Sequence, residues 1–225
     1  MQILIIGFQR SGTTLMRRLF GVHPEVKKMV HEAFLLKKCS TKDQLIQLIT
    51  SAGVSPFKDN WGEKTPFYPN IRGIPVDVYC KRWNRYFGKT SRILHIVRHP
   101  VDVVNSIVVK SRGRQHLEKA LGIYQRRMTT IIPKLSNIKN VHTFKYEDLL
   151  IRPDDIVPEL YKFCRLTSDV DFRQLMSGIK NKKYKNFDKT RAFAHTRGPI
   201  KIRTDLSSVL TVINKNVGGV KYNIK

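Results

Sequence analysis

The strongest constraint on this chain lies at its start, where a continuous apolar run from Gln2 to Gly7 leads into Phe8-Gln9-Arg10-Ser11-Gly12-Thr13-Thr14 and then Leu15, Met16 and Leu19 at helical spacing. A short apolar run bounded by glycine reads as a buried strand, and the residues after the loop read as a helix with one core-facing side. A strand, a tight glycine loop and a helix in succession gather backbone N–H groups and a helix N-terminus at one point, which is where an anion binds. Gly7 and Gly12 have the spacing of a phosphate-binding loop, and Thr13 and Thr14 add hydroxyl donors. The lysine that would reach the outer phosphates of a nucleoside triphosphate is missing, because Thr13 follows Gly12 and the cation is Arg10. The loop therefore suits a nucleotide 5′-phosphate and disfavours a triphosphate enzyme using magnesium.

The same unit recurs. Ile93 to Val97 is a second apolar run that stops at Arg98-His99-Pro100 and leads into Val101, Val104, Ile107 and Val108 at helical spacing. A third, Val141 to Phe144, ends near Tyr146-Glu147-Asp148 and is followed by a helix from about Asp154 to Cys164. Buried strands alternating with helices predict a three-layer α/β sandwich with a short parallel sheet, of the P-loop-containing nucleotide hydrolase-like class, with residues 1–225 as a single domain. Thr41 to Ala52 predicts an amphipathic packing helix opened by a Thr41/Gln44 capping box. Gln115 to Ile132 predicts a long helix, and Leu206 to Val217 a closing one. Ser55 to Gly73, rich in Pro, Gly and aromatics, reads as a loop over the C-terminal edge of the sheet. Lys180 to Arg203, with nine basic residues against Asp188 alone, reads as a mobile basic loop.

Charge narrows the partners. Lys and Arg number 42 against 17 Asp and Glu, a formal net charge of +25, and such a surface attracts nucleic acid, an anionic substrate or a phosphate-bearing cofactor. Cys39, Cys80 and Cys164 are widely spaced and form no metal-ligand pattern, so no metal site is expected. The opening apolar run is too short for a signal peptide, and no later stretch is long enough for a membrane span. As written, the chain reads as a cytoplasmic protein without membrane association, or as a Golgi-lumen enzyme if it was trimmed from a membrane-anchored one.

The Arg10-Ser-Gly-Thr-Thr-Leu-Met-Arg17 and His23-Pro-Glu-Val26 segments resemble the sulfotransferases that use 3′-phosphoadenosine 5′-phosphosulfate (PAPS), most closely the tyrosylprotein type. The resemblance implies that Arg10, Ser11, Gly12, Thr13 and Thr14 hold the 5′-phosphosulfate. The family's second signature, an Arg at a strand end and a Ser eight residues later, is matched by Arg98 and Ser106, with Lys110 one turn further on. It implies that these residues bind the 3′-phosphate. Independently, Arg98 is expected at a strand's C-terminal end, and Ser106 and Lys110 share a helix face. Tyr146-Glu147-Asp148-Leu149 resembles the family's YEDL-type segment, whose tyrosine lies beside the nucleotide.

Sulfuryl transfer needs an in-line nucleophile, a base for its proton, and cations for the charge developing on the leaving oxygens. Trp61-Gly-Glu63-Lys64-Thr-Pro66-Phe-Tyr68 resembles the EKTP segment of heparan sulfate sulfotransferases and the lysine-bearing segment of tyrosylprotein sulfotransferases. By that resemblance Glu63 is the preferred base and Lys64 the charge stabiliser, on a loop beneath which the acceptor enters. Glu32 is the rival base: it follows His23-Pro-Glu-Val26 at slightly longer spacing than the tyrosylprotein enzymes show. His31 and His99 are further proton-transfer candidates. Arg191, Arg197 and Lys201 are candidates to cover the nucleotide or grip the acceptor.

The expected reaction is in-line transfer of a sulfuryl group from PAPS, leaving adenosine 3′,5′-bisphosphate (PAP), to a hydroxyl or amine of a glycan, protein tyrosine or small-molecule acceptor, with an anionic glycan or acidic peptide favoured by the charge, and with no metal and no specific nucleic acid. The alternatives are a P-loop kinase-like enzyme, against which the missing lysine and the Arg98/Ser106 pair argue, and a non-enzymatic polyanion or nucleic-acid binder. The second is motivated by the charge and by Tyr184, Phe187 and Phe193 among basic residues.

Overall fold

The computed structural model describes residues 1–67, 70–111, 117–178, 205–219 and 221–222. Five strands, β1 (Gln2–Phe8), β2 (Val26–His31), β3 (Asn60–Phe67), β4 (Ser91–Val97) and β5 (Val141–Lys145), form one sheet in the order β2-β3-β1-β4-β5. Every pairing is parallel. β1 and β4 are buried along their whole length, as the central strands of a sheet covered on both faces must be. Successive residues of β1 serve opposite cores: Leu4, Ile6 and Phe8 on one side, Ile3 and Ile5 on the other.

The helices divide between those cores. α2 (Leu35–Lys38), α3 (Lys42–Ser51), α4 (Val76–Phe87), α5 (Pro100–Ser111), α6 (Leu117–Ser136) and α10 (Ser207–Asn216) contribute to the first. α1 (Thr13–Gly21), α7 (Tyr146–Ile151), α8 (Pro153–Phe163) and α9 (Phe172–Ser177) contribute to the second. This is the expected three-layer α/β sandwich with a parallel sheet. Thr41 caps α3 as expected, accepting from the Gln44 N–H while the Gln44 side chain accepts from the Thr41 N–H. Among the described residues no helix is long and apolar enough to cross a membrane.

One expectation fails. Ser55 to Gly73 is not a loop: Asn60–Phe67 is β3, seated between β1 and β2. Trp61, expected at the mouth of the acceptor site, is fully buried against Trp83 and Phe87. Gly62 is required there, since a Cβ would sit 2.4 Å from the Ile3 carbonyl oxygen. Pro66 lies beyond the last β2 pair, His31 with Lys64, where β3 has a neighbour on one side only, and a strand tolerates proline in such a place. β2, with two exposed lysines and a register shift between Val26 and Lys28, carried no strand signal. Lys180 to Arg203, with Arg191, Arg197 and Lys201, lies outside the described residues, as does Tyr68.

Candidate active site

Because all five strands run parallel, their C-terminal ends meet at one edge, and the order places β1 where connections depart to both sides. Such a switch point is where an open α/β sheet binds its ligand. Arg10 to Thr14 follow β1 there, Glu32 follows β2, Arg98 follows β4 and Tyr146 follows β5. The candidates therefore converge from four strand ends although they span more than half the chain.

The β1–α1 loop is closed by its own serine. Both the N–H and the Oγ of Ser11 donate to the Phe8 carbonyl, at 3.1 and 2.6 Å, so the Ser11 hydroxyl serves the turn. Gly12 caps α1 in the left-handed region, at φ 108°, and a Cβ there would lie 2.3 Å from the Tyr146 ring. The helix has no side-chain cap and no acid in its first turn. Its N-terminal N–H groups and partial positive charge thus face the sheet edge without a competing carboxylate, an arrangement that fits a phosphate or sulfate group. Thr13 is buried and Thr14 half-buried at that end.

Arg98 ties this loop to the second signature. Its Nη1 donates to the Arg10 carbonyl at 3.2 Å, its guanidinium lies 4.6 Å from the centre of the Tyr146 ring, and Nη2 is 3.9 Å from Asp102 Oδ2. Arg10, exposed and at φ 71°, donates from Nε to Ser106 Oγ at 2.9 Å. Arg10, Arg98, Ser106 and Tyr146 are thereby brought together. Lys110 lies in α5, but its side chain is outside the described residues.

Glu63 and Lys64 are adjacent in β3 and so point to opposite faces. Glu63 is fully buried in the first core, where both carboxylate oxygens face the Leu35 N–H, at 3.1 and 3.4 Å, and the Tyr79 hydroxyl donates to Oε2 at 3.0 Å. Burial pushes its carboxyl above the ordinary value despite these donors. Lys64, on the α1 side, is also buried and donates to Glu32 Oε1 at 2.5 Å. Glu32 is 37% exposed. Partial burial opposes its charge, but the hydrogen bond and charge of Lys64 outweigh that, so its carboxyl is held below the usual range. Burial pulls Lys64 below the ordinary ammonium value although Glu32 acts in the other direction.

His31 Nε2 lies 3.8 Å from Glu32 Oε1, and burial holds its imidazole below the usual value. His99 packs edge-on against Tyr222, away from the Glu32–Lys64 pair in its partners. Two residues not anticipated from the sequence act on this region: Arg17, whose charge reaches Lys64 and His31, and Arg72, which reaches Glu32 and stacks on Phe34. Arg17 stands in α1 one turn after Thr13, a position the helical periodicity could have flagged; nothing in the sequence places Arg72 near β2.

A parallel sheet with a glycine loop and a helix N-terminus at its switch point, and a second arginine at the neighbouring strand end, is the arrangement of a P-loop-type nucleotide-binding fold. The chain belongs to the sulfotransferase domain family, whose model matches residues 1–207, and its activity is PAPS-dependent sulfuryl transfer. Solved structures with the same fold include the sulfotransferase domain from the curacin biosynthetic pathway, with TM-score 0.67 and 16% identity over 95% of this chain and 96% of that one. The sulfotransferase domain of the Synechococcus PCC 7002 olefin synthase superposes with TM-score 0.72 at 15% identity, over 95% and 93% of the two chains. Mouse sulfotransferase SULT7A1 complexed with PAP gives TM-score 0.50 at 15% identity, over 88% and 66%. No curated protein sequence matches the chain.

Proposed function

We propose that Glu32 is the base of this sulfotransferase, that Lys64 and Arg10 stabilise the charge on the transferred and leaving groups, and that Glu63 is a buried structural carboxylate. The observation that carries this assignment is the 2.5 Å contact between Lys64 Nζ and Glu32 Oε1 on the α1 side of the sheet, while Glu63 faces the opposite core. A base must be ionised and reachable, and Glu32 is both: its lysine partner favours the carboxylate, and it is partly exposed at a strand's C-terminal end. Glu63 has no solvent exposure and its oxygens are taken up by Leu35 and Tyr79.

In this reading the β1–α1 loop, with Arg10, Gly12, Thr13 and Thr14, holds the 5′-phosphosulfate, and Arg98 with Ser106 and Lys110 holds the 3′-phosphate. Tyr146 stands against both. Glu32 takes the proton of the acceptor hydroxyl or amine as that atom bonds to sulfur. The bond from sulfur to the 5′-phosphate oxygen breaks, its electron pair stays on PAP, and Lys64 and the loop N–H groups stabilise the resulting charge. Side-chain cations are assigned the role a metal would otherwise fill. His31 and Arg72 act on Glu32, and Arg17 acts on Lys64 and His31 beside it, a concentration of positive or protonatable groups that supports an anionic acceptor.

Calorimetry without metal tests the nucleotide half. Binding of PAP by the wild type and its loss in Arg98→Ala support the reading, whereas a folded wild type that ignores PAP overturns it.

A further inference from the structure

The peptide unit between Arg98 and His99 is gripped at both ends. Its carbonyl, that of Arg98, accepts from the Tyr124 hydroxyl at 2.7 Å, and its N–H, that of His99, donates to Glu147 Oε1 at 3.0 Å. Tyr124 belongs to α6 and Glu147 to α7, so two elements on opposite sides of the sheet meet at this one peptide. Glu147 is fully buried, a costly place for a carboxylate unless its oxygens are satisfied. The second oxygen, Oε2, accepts from the Tyr222 hydroxyl at 2.5 Å.

Tyr222 comes from the far end of the chain and is itself held in place. It is 3% exposed, its N–H donates to Asn214 Oδ1 at 2.9 Å, and its carbonyl accepts from Asn214 Nδ2 at 2.7 Å. Its ring takes His99 edge-on at 5.0 Å and the Lys145 ammonium at 4.9 Å. Asn214 lies in α10, which packs on α6. The C-terminal segment is thus latched to α10 by its backbone and to the β4–α5 junction by its side chain.

We propose that Tyr222, acting through Glu147, is a positioning residue for nucleotide recognition: the C-terminal segment fixes the Arg98–His99 peptide and thereby aims the Arg98 guanidinium at the 3′-phosphate. This rests on the reading that Arg98 binds that phosphate. The Arg98 side chain also contacts the Arg10 carbonyl, Tyr146 and Asp102, and these contacts set its distance from the loop. The peptide clamp sets the direction in which the side chain leaves the strand end. A guanidinium recognises phosphate through a fixed fork of donors, so a small tilt at its root costs affinity chiefly for the 3′-phosphate, while the 5′ loop, which Arg98 meets only at the Arg10 carbonyl and through Tyr146, keeps its own backbone donors.

The test is the ratio of affinities for PAP and for adenosine 5′-monophosphate, which lacks the 3′-phosphate, measured by calorimetry on wild type, Tyr222→Phe and Asn214→Ala. Tyr222→Phe removes one hydroxyl, and Asn214→Ala releases the backbone of Tyr222 without touching Glu147. Thermal melting and circular dichroism establish that each variant is folded. The expected result is a 3- to 10-fold fall in the PAP preference in both variants, with monophosphate affinity within about twofold of wild type, and a matching rise in KM for PAPS at nearly constant kcat. A folded variant that keeps the wild-type ratio overturns the proposal, as does an equal loss of both nucleotides, which is what a merely structural contact would give. A wild type with no preference for PAP overturns instead the assignment of Arg98 to the 3′-phosphate.

Discussion

Lys64 Nζ lies 2.5 Å from Glu32 Oε1, a contact that joins a buried strand residue to the partly exposed end of the neighbouring strand. The pair separates two carboxylates that the sequence alone leaves as rivals. On the proposed assignment Glu32→Gln keeps the shape of the side chain and removes the base, so kcat should fall by roughly 10²- to 10⁴-fold while the affinity for PAP stays within about twofold. Glu63→Gln should act on the fold instead. It weakens the acceptor for the Leu35 N–H and the Tyr79 hydroxyl, at a cost of about 1–3 kcal/mol in urea denaturation, with kcat of the folded fraction near wild type. The opposite pattern, a catalytic defect confined to Glu63→Gln, would return the base to β3.

The two rivals also show what a sequence can and cannot carry. The β1–α1 loop and the Arg98/Ser106 signature were legible because each is local: a strand, a turn and a helix within one short stretch define the geometry, and the structure brings Arg10 and Ser106 to 2.9 Å. β3 was not legible. Asn60–Phe67 contains Gly62, Glu63, Lys64 and Pro66, a composition that argues for a loop, and it is a strand only because β1 and β2 flank it and Tyr79 and Leu35 satisfy its carboxylate. With the strand missed, the opposite facing of Glu63 and Lys64 was missed too. The partners of Glu147 were equally hidden, since Tyr222 is 75 residues away and nothing between them signals the contact.

The pH profile should report the Glu32–Lys64 pair. Lys64 holds the Glu32 carboxyl below its ordinary value of about 4.3, so the base form persists to lower pH than an isolated glutamate would allow. The acid limb of kcat/KM should therefore fall below that value. Burial draws Lys64 below its ordinary ammonium value of about 10.4, so an alkaline limb should fall below that. In Lys64→Met the burial effect on Glu32 is no longer offset, and the acid limb should move upward along with a loss of rate. An acid limb that stays in place in Lys64→Met would show that it belongs to another group.

Gly12→Ala should damage the nucleotide site from the backbone. The residue sits at φ 108°, where a side chain costs about 1–2 kcal/mol, and the new methyl meets Tyr146 at 2.3 Å. Calorimetry should show PAP binding weakened at least tenfold, with a lower melting temperature. Tyr146→Ala in the same chain removes the clash but not the backbone strain, so the double variant should recover part of the melting temperature and none of the stacking on Arg98. Full additivity of the two changes would mean that the loop does not rest on Tyr146.

His95 provides a separate handle on acid stability. It is fully buried in β4, with Nδ1 3.3 Å from Thr143 Oγ1 and its ring stacked with Phe67, and burial pushes its imidazole down to about 3. In the unfolded chain it titrates near 6.5. Between those values the unfolded state binds a proton that the folded state does not, so the stability His95 allows is fully present above about 6.5 and is lost as pH falls toward 3. The slope from this one group is about 1.4 kcal/mol per pH unit, a total of roughly 3–5 kcal/mol. Glu63 and Glu147, raised by burial, contribute with the opposite sign, because in them the folded state holds the proton more tightly. Only a comparison with a variant isolates the histidine. Urea denaturation at pH 7 and at pH 5 should show His95→Leu losing less stability on acidification than wild type, by 1–2 kcal/mol over that interval on the order set by the slope above. Equal losses in the two proteins would mean that His95 is protonated at no cost in the folded state, and that the acid sensitivity lies in carboxylates held below their ordinary range, such as Glu25 and Glu32.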